Sequence, residues 1–410
     1  MFPQAIQLLV LQSTSFCNID CEYCYLPHRT DPRRMLVPVL RRVATEIIQS
    51  EYWRPSSLVL WHAGEPMSIG HDWYRNAHKI LDGGTGRVRR IQFQSNATLL
   101  DEPWIELLSE SKAGIGVSVD GPEWLHNLHR KDRSGRGTFD GAMRGVERLK
   151  AAGIPFTVIA TVTRNSLDAP DEIFDFFHAL RPQKLAFSIE EAEGANVRSS
   201  LYEIETMSRV EEFFRQIATR NFAHADPLRI REIEGVIAGL ISPVGRLEGS
   251  QETQLGRIVA IGATGNVALF SPELLTTVRG DGSYETVGNI LQQTLSEIFA
   301  SDAVLKQKEL IEFGVRLCRN TCGFFDQCGG GSPANKLFET GRYDVNETWY
   351  CRIARQATVR GIEVAIQQAM PKSSTPEMGN LGVLKRRVAP QSSHIPPNPR
   401  HSKQQLIILQ

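Results

Sequence analysis

The sequence predicts an α/β fold in which six β/α units form a parallel sheet curled towards a partial barrel. From the N-terminus to about residue 190, short apolar runs alternate with helix-like stretches. Most runs are rich in Val, Ile, Leu or Phe and lack strict apolar/polar alternation, the mark of strands buried on both faces. Six such units in succession argue for a parallel sheet whose strand C-termini carry the active face.

Taken in order, the strands are expected at Ile6–Gln12, Ser57–Trp61, Arg90–Gln94, Gly114–Val119, Phe156–Val162 and Lys184–Ile189. Helices are expected near 35–50, 71–81, 101–112, 138–152 and 171–180. Asp101 and Asp140 are placed to cap two of them, and Glu-Pro-Trp opens the third. Residues from about 200 to 242 read as amphipathic helix. A hairpin follows, with Gly256–Ile261 and Val267–Phe270 joined by the turn Ala263-Thr264-Gly265-Asn266. A further helix is expected at about Leu291–Phe299. The segment 314–352 is rich in Cys and Gly with little periodicity, so something other than a hydrophobic core must fold it. Domain boundaries are expected at 1–235, 236–370 and 371–410. The last stretch holds six prolines, six Lys or Arg and one acid, and reads as disordered.

A chain of 410 residues, 41% hydrophobic and 22% charged, can bury a full-sized core. Lys+Arg and Asp+Glu each total 46, so no net field draws the chain to nucleic acid or an anionic membrane. The start, MFPQAIQLLVLQSTSFC, lacks the basic opening and small-residue cleavage site of a signal peptide. No apolar run reaches the ~18 residues of a membrane span. The reading is cytoplasmic.

Seven cysteines fall into two tight groups: Cys17, Cys21 and Cys24, then Cys318, Cys322, Cys328 and Cys351. Clustered cysteines in a reducing compartment are more often metal ligands than disulfides, and an odd total fits pairing poorly. Cys17-x3-Cys21-x2-Cys24 follows directly after the first strand. Three thiolates so spaced can hold three irons of a cubane and leave the fourth open. A zinc knuckle lacking a ligand, or three unrelated thiols, is the bland alternative. Four thiolates at Cys318-x3-Cys322-x5-Cys328-x22-Cys351 suit either tetrahedral zinc or a fully ligated [4Fe–4S] cluster.

The motif CNIDCEYC, with Tyr23 before its last cysteine, resembles the signature of the radical S-adenosylmethionine (SAM) superfamily. The resemblance implies a TIM-like partial (β/α)6 barrel and a [4Fe–4S] cluster whose open iron chelates SAM. It further implies reductive cleavage of SAM to a 5′-deoxyadenosyl radical, with an external flavodoxin or ferredoxin as electron donor. Further segments match in order. Trp61-His-Ala-Gly-Glu-Pro66 resembles the Gly-Gly-Glu-Pro motif, with Ala63 for the first Gly; there the backbone at Ala63 and Gly64 and the Glu65 side chain would contact the SAM ammonium. Gln94-Ser95-Asn96-Ala97 ends strand three, where the family often has a Thr-Asn-Gly-like turn. Ser118-Val-Asp120-Gly121 resembles the segment whose Ser contacts SAM, and Arg130 the Arg reaching its carboxylate. Val162-Thr-Arg-Asn165 ends strand five. Tyr23, Ala63, Gly64, Glu65, Asn96, Ser118, Asp120 and Arg130 are therefore the expected cofactor-binding residues.

The second cysteine set resembles the SPASM extension of peptide-modifying radical SAM enzymes, which usually binds two auxiliary clusters with seven cysteines. Here Ser332 stands where another cysteine is expected, and Ser271-Pro272 stands where Pro-Cys is common. The resemblance therefore implies one auxiliary [4Fe–4S] cluster, held by Cys318, Cys322, Cys328 and Cys351 in a SPASM/twitch-like domain. His62, His126 and His129 read as structural histidines. Glu190, Glu191 and Glu193 follow strand six; Glu190 and Glu191 are the candidate proton acceptors, although solvated loop charges are the simpler reading for at least two of the three.

The stretches LLVLQSTSFCNIDCEYCYLPHR and CGGGSPANKLFETGRYDVNETWYCR resemble maturases of glycine-rich-repeat peptides (the GrrM/OscB type). This implies a ribosomal precursor peptide as substrate and a cyclophane cross-link between an aromatic ring and a nearby β-carbon. With about 16 residues before Cys17, no separate leader-binding domain is expected there. Formylglycine formation of the sulfatase-maturase type, and thioether or epimerising chemistry on peptides, share the architecture. A non-catalytic Fe–S or zinc scaffold is the reading from another class, and three cysteines leaving an iron open disfavour it.

Overall fold

The computed structural model describes residues 5–242, 247–278 and 285–370. Nine strands form one sheet in the order β6-β5-β4-β3-β2-β1-β7-β8-β9. The first six, β1 Leu8–Leu11, β2 Leu58–Trp61, β3 Ile91–Ser95, β4 Gly114–Ser118, β5 Phe156–Val162 and β6 Lys184–Ile189, run parallel. Each lies where the apolar runs place it, with ends shifted by no more than three residues. Apolar side chains on both faces pack under the surrounding helices, as parallel strands require.

α1 Val37–Val43 continues as a π-helical turn through Ile48. α2 His71–Asp82, α3 Glu102–Ser111, α4 Glu123–His129, α5 Phe139–Ala151 and α6 Pro170–Leu180 complete the crossovers. Asp101 caps α3 as expected, accepting from Trp104 N. Asp140 does not cap α5. The N-cap is Thr138, whose hydroxyl instead donates to Arg130 O at 2.9 Å, and Asp140 sits in the first turn.

Beyond β6 come α7 Thr206–Ala223 and α8 Arg231–Ile241; the expected boundary at 235–236 falls inside α8. β7 Ile258–Ile261 then pairs parallel with β1, so the C-terminal part extends the same sheet. β8 Asn266–Leu269 returns antiparallel, forming the expected hairpin, and β9 Gly288–Asn289 adds a third strand. With β7 on the β1 edge and β6 at the far end, the barrel stays open.

The last helices depart most from expectation. α9 Leu295–Ala300 starts later than predicted, because Thr294 and Glu297 form a capping box. α10 Asp302–Thr321, capped by Ser301, runs into the segment expected to be irregular. Its buried face, Val304, Gln307, Ile311, Val315 and Cys318, has helical spacing that polar neighbours disguise. α11 Phe325–Cys328 and α12 Pro333–Thr340 lie within that segment too. A π-helical stretch Cys351–Ala357 leads into α13 Thr358–Ala369, which packs along α7. A Cβ on Gly361 would sit 2.1 Å from Glu211 O, so this crossing needs glycine. The tail expected to be disordered, 371–410, lies outside the described residues. Among those described, no helix is long and apolar enough to cross a membrane.

Candidate active site

The loop after β1 carries Cys17, Cys21 and Cys24 at the C-terminal end of the sheet. Cys17 and Cys21 are buried, and the three thiols gather with Ile19 and Tyr23 in one small cluster. The next loop seats this one. Glu65 N donates to Phe16 O at 2.7 Å, and Gly64 has φ +58°. A Cβ there would meet Phe16 O at 2.4 Å, so only glycine permits the approach. Ala63 also takes a positive φ, 74°.

Glu65 is fully buried and its carboxylate is occupied. Oε1 accepts from Met67 N at 2.9 Å and from Ser95 Oγ at 2.8 Å, and Oε2 accepts from Asn96 N at 2.8 Å. Burial pushes its pKa up to about 7 even against these bonds. Asn96 in turn reaches the cysteine loop, donating to Asn18 Oδ1 at 2.9 Å and lying 3.9 Å from Cys17 Sγ. Glu65 and Asn96 thus tie three strand ends together. Ser118 Oγ accepts from Gln94 Nε2 at 2.9 Å.

Asp120 and Arg130 form a buried ion pair, Nε to Oδ2 at 3.0 Å. Tyr23 donates its hydroxyl to the same Oδ2, and Thr161 N donates to Oδ1 at 2.9 Å. Burial, the largest single cause, would raise the Asp120 pKa; Arg130, His126 and the Tyr23 hydroxyl together outweigh it and hold the carboxyl below its usual range. Arg130 Nη1 also donates to Cys21 Sγ at 3.8 Å and stacks over the Tyr23 ring. The His126 and His129 side chains support this group through Thr138 and Glu22 respectively.

The expected proton acceptors part company. Glu190 Oε2 accepts from Ser200 N at 2.9 Å and from the Ser200 hydroxyl, so its carboxylate anchors the loop. Glu191 and Glu193 are half-buried rather than solvated. Burial is the main cause that raises both; Glu191 reaches about 7, and Glu193 is raised well above the usual carboxylate range by burial and then by the charge of Glu191. Glu191 accepts from Tyr350 and from Asn335 Nδ2, and Glu273 and Glu252 add negative charge nearby. Glu339 fixes this wall, accepting from Trp349 N at 2.6 Å and Tyr350 N at 2.8 Å. Tyr25, next to Cys24, lies within reach of the Glu273 and Glu193 charges and stacks on His62 with hydroxyl and Nδ1 3.5 Å apart. Burial holds His62 neutral, its pKa down to about 4.

Tyr25, Asn335, Tyr350 and Glu273 were not singled out from sequence. Tyr25 and Tyr350 each adjoin a motif cysteine, which is a usable signal; Asn335 and Glu273 carry none.

The second thiol set lies at the end of α10, on α11 and at Cys351. Cys351 feels the charges of Cys328 and Cys322, and Cys318 that of Cys328. Three of the sulfurs accept weak bonds: Cys318 from Lys336 Nζ at 3.7 Å, Cys322 from Phe324 N at 3.4 Å and Cys351 from Gln356 Nε2 at 3.8 Å. Among the described residues, no three His, Cys, Asp or Glu draw in closely enough to grip one ion.

A radical SAM superfamily model matches residues 11–177, which span β1 to α6 and hold the first thiol set with its three partner loops. An uncharacterised Synechocystis sp. protein, sll1766, is 33% identical over 369 residues, 88% of this chain and 92% of its own length. The chain belongs to the radical SAM superfamily. A cysteine-type anaerobic sulfatase-maturating enzyme of Clostridium perfringens (strain 13 / Type A) is 25% identical over 352 residues, 80% of this chain and 88% of that enzyme. Among solved structures, anSMEcpe with bound AdoMet and Cp18Cys peptide superposes with a TM-score of 0.71 at 22% identity, covering 89% of this chain and 99% of that one. Streptococcus suis SuiB bound to precursor peptide SuiA gives 0.62 at 16%, covering 84% and 76%. These likenesses show the fold: a radical SAM α/β sheet of parallel strands.

Membership implies a [4Fe–4S] cluster and SAM, and the residues fit them. Three clustered thiols receive an amide and a guanidinium donor, and Gly64 clears the backbone beside them. Burial pushes Cys17 up to about 12 and Cys21 up to about 11, so iron must displace protons to bind.

Proposed function

We propose that this radical SAM enzyme modifies a ribosomally made, glycine-rich precursor peptide, joining an aromatic ring to the β-carbon of a nearby residue. The observation that carries the reading is the group Glu191, Glu193, Tyr350 and Asn335, which Tyr25 also approaches, so that residues adjoining Cys24 and Cys351 meet at the same acids. When bound, the cluster and SAM supply hydrogen-abstracting radical chemistry. The chain's own residues do the rest. Tyr23, Asp120 and Arg130 brace the cysteine loop, and backbone at Ala63 and Gly64 with Ser118 offers polar contacts for SAM. The Glu191–Glu193 pair accepts the proton that the ring loses, while Glu339 and Asn335 keep Tyr350 and Glu191 in place.

Cys318, Cys322, Cys328 and Cys351 hold a second [4Fe–4S] cluster in this proposal. The resemblance to the SPASM extension supports a cluster over zinc, and the charges these thiols exert on one another support a shared site. An external one-electron donor reduces the first cluster. Support for a peptide substrate comes from the similar folds of anSMEcpe, solved with Cp18Cys peptide, and SuiB, solved with SuiA.

Sequence similarity to sulfatase-maturating enzymes favours a second reading, formylglycine formation. Co-expression with a short glycine-rich precursor peptide, sought in the neighbouring reading frames, separates the two. The cross-linked product is lighter by ~2 Da, since two hydrogens leave in radical oxidation, and it does not react with a hydrazine. Change of the aromatic residue to Ala abolishes the mass loss. A hydrazine-reactive product with the loss at Ser or Cys would establish formylglycine instead.

A further inference from the structure

The C-terminal thiol set sits against a buried cation. Lys336, on α12, is 4% exposed, and its ammonium donates to Cys318 Sγ at 3.7 Å. No Asp or Glu pairs with it among the described residues. A buried lysine needs a compensating charge, and here sulfur is its partner. Gly314 of α10, one turn before Cys318, leaves room for the Tyr343 and Val345 carbonyls and for the ammonium, which a Cβ there would meet at 2.5, 2.9 and 3.1 Å. The acid whose charge reaches Cys318, Cys322 and Cys351 is Glu347. Glu347 is itself matched, with Arg352 Nη2 at 2.8 Å and Gln356 Nε2 at 2.7 Å. Lys336 is therefore a positive charge on Cys318 that no neighbouring carboxylate cancels, while Arg355 is a second buried cation whose charge meets Cys328.

We propose that Lys336 is a positioning residue for electrons: its charge and N–H···S bond raise the reduction potential of the iron–sulfur group held by Cys318, Cys322, Cys328 and Cys351. This rests on the proposal that those thiols hold a [4Fe–4S] cluster. Reduction adds one negative charge to the cluster, and a cation fixed at low dielectric stabilises the reduced form over the oxidised one. Hydrogen bonds to the sulfurs and net charge are the levers by which a protein sets such potentials.

The test uses the full-length chain carrying Cys17→Ala, Cys21→Ala and Cys24→Ala, so that only the C-terminal group remains. Iron, sulfide and zinc are measured first, and the cluster is then titrated with its electron paramagnetic resonance signal as readout. K336M should shift the ratio of reduced to oxidised cluster at fixed poise at least tenfold towards oxidised, about 59 mV for one electron. K336R, which keeps the charge, should restore most of that shift, and K336Q, which keeps only a donor, should not. A K336M midpoint equal to wild type at full iron content overturns the inference. So does K336R falling as far as K336M. If K336M fails to load iron, K336Q and K336R decide between these outcomes. Zinc without sulfide in the triple variant refutes the cluster assignment itself, before any titration, and this inference with it.

Discussion

Gly64 and Glu65 do structural work beside the cysteine loop: the glycine lets Phe16 O approach, and the carboxylate binds the ends of β2 and β3. Neither partner is near in sequence, so no local pattern announces them. Glu190 and Glu191 are adjacent and alike in composition, and only the fold separates an anchor on Ser200 from an acid facing Tyr350. That separation sets a pH prediction. The Glu191–Glu193 pair titrates as a unit, with Glu191 raised to about 7 chiefly by burial. A proton acceptor works only when ionised, so product formation should fall as pH drops below about 7. Glu191→Gln should lower the rate by on the order of 10²-fold or more and flatten that limb, while 5′-deoxyadenosine release continues. Stability moves the other way. The folded chain holds this proton more tightly than the unfolded one, so the contribution falls as pH rises from 4.5 towards about 7. A pH profile of product against 5′-deoxyadenosine checks the first statement; a Glu191→Gln rate equal to wild type would remove Glu191 from the proton path.

At the scale of elements, the parallel strands were the most legible part, because runs such as LLVL and FTVIATV are apolar on both faces whatever surrounds them. The C-terminal helices were the least. α10 mixes lysines and glutamates into a buried stripe, and α12 packs polar Asn335 and Lys336 inward, against the usual pattern. Sequence could not place β7 either, since its hairpin alone does not say which edge it joins. Its partner is β1, with Leu8 opposite Ile258 and Leu11 opposite Ile261. The C-terminal part is therefore a structural complement of the barrel. A chain truncated after residue 242 would leave the β1 edge unpaired and strip α13 from α7. Such a protein should appear in inclusion bodies or as aggregate by size exclusion, under conditions that should leave the full chain monodisperse. A monodisperse truncated protein with native-like circular dichroism would show that the barrel does not need β7.

Over the whole molecule, a neighbour of each thiol set reaches the same acids. Tyr25 extends from the first set and Tyr350 from the second, and both approach the Glu191–Glu193–Glu273 acids. Electron and proton acceptors for one oxidation would then flank one peptide. Division of the seven cysteines as three and four predicts two [4Fe–4S] groups, about eight irons per chain. Cys328→Ala probes the division, because Cys328 lies 304 positions after Cys24, in the other thiol set. Its anaerobically reconstituted protein should hold about four irons, keep the SAM-cleaving site and release 5′-deoxyadenosine. It should form little cross-linked product, since the second group and the wall built on Tyr350 would be disturbed together. Cys21→Ala should do the reverse, keeping about four irons but releasing no 5′-deoxyadenosine. Full iron content in Cys328→Ala would assign those irons to other ligands. Cross-linking at the wild-type rate with the second group missing would make that group a scaffold, and would return the electron acceptor to solution.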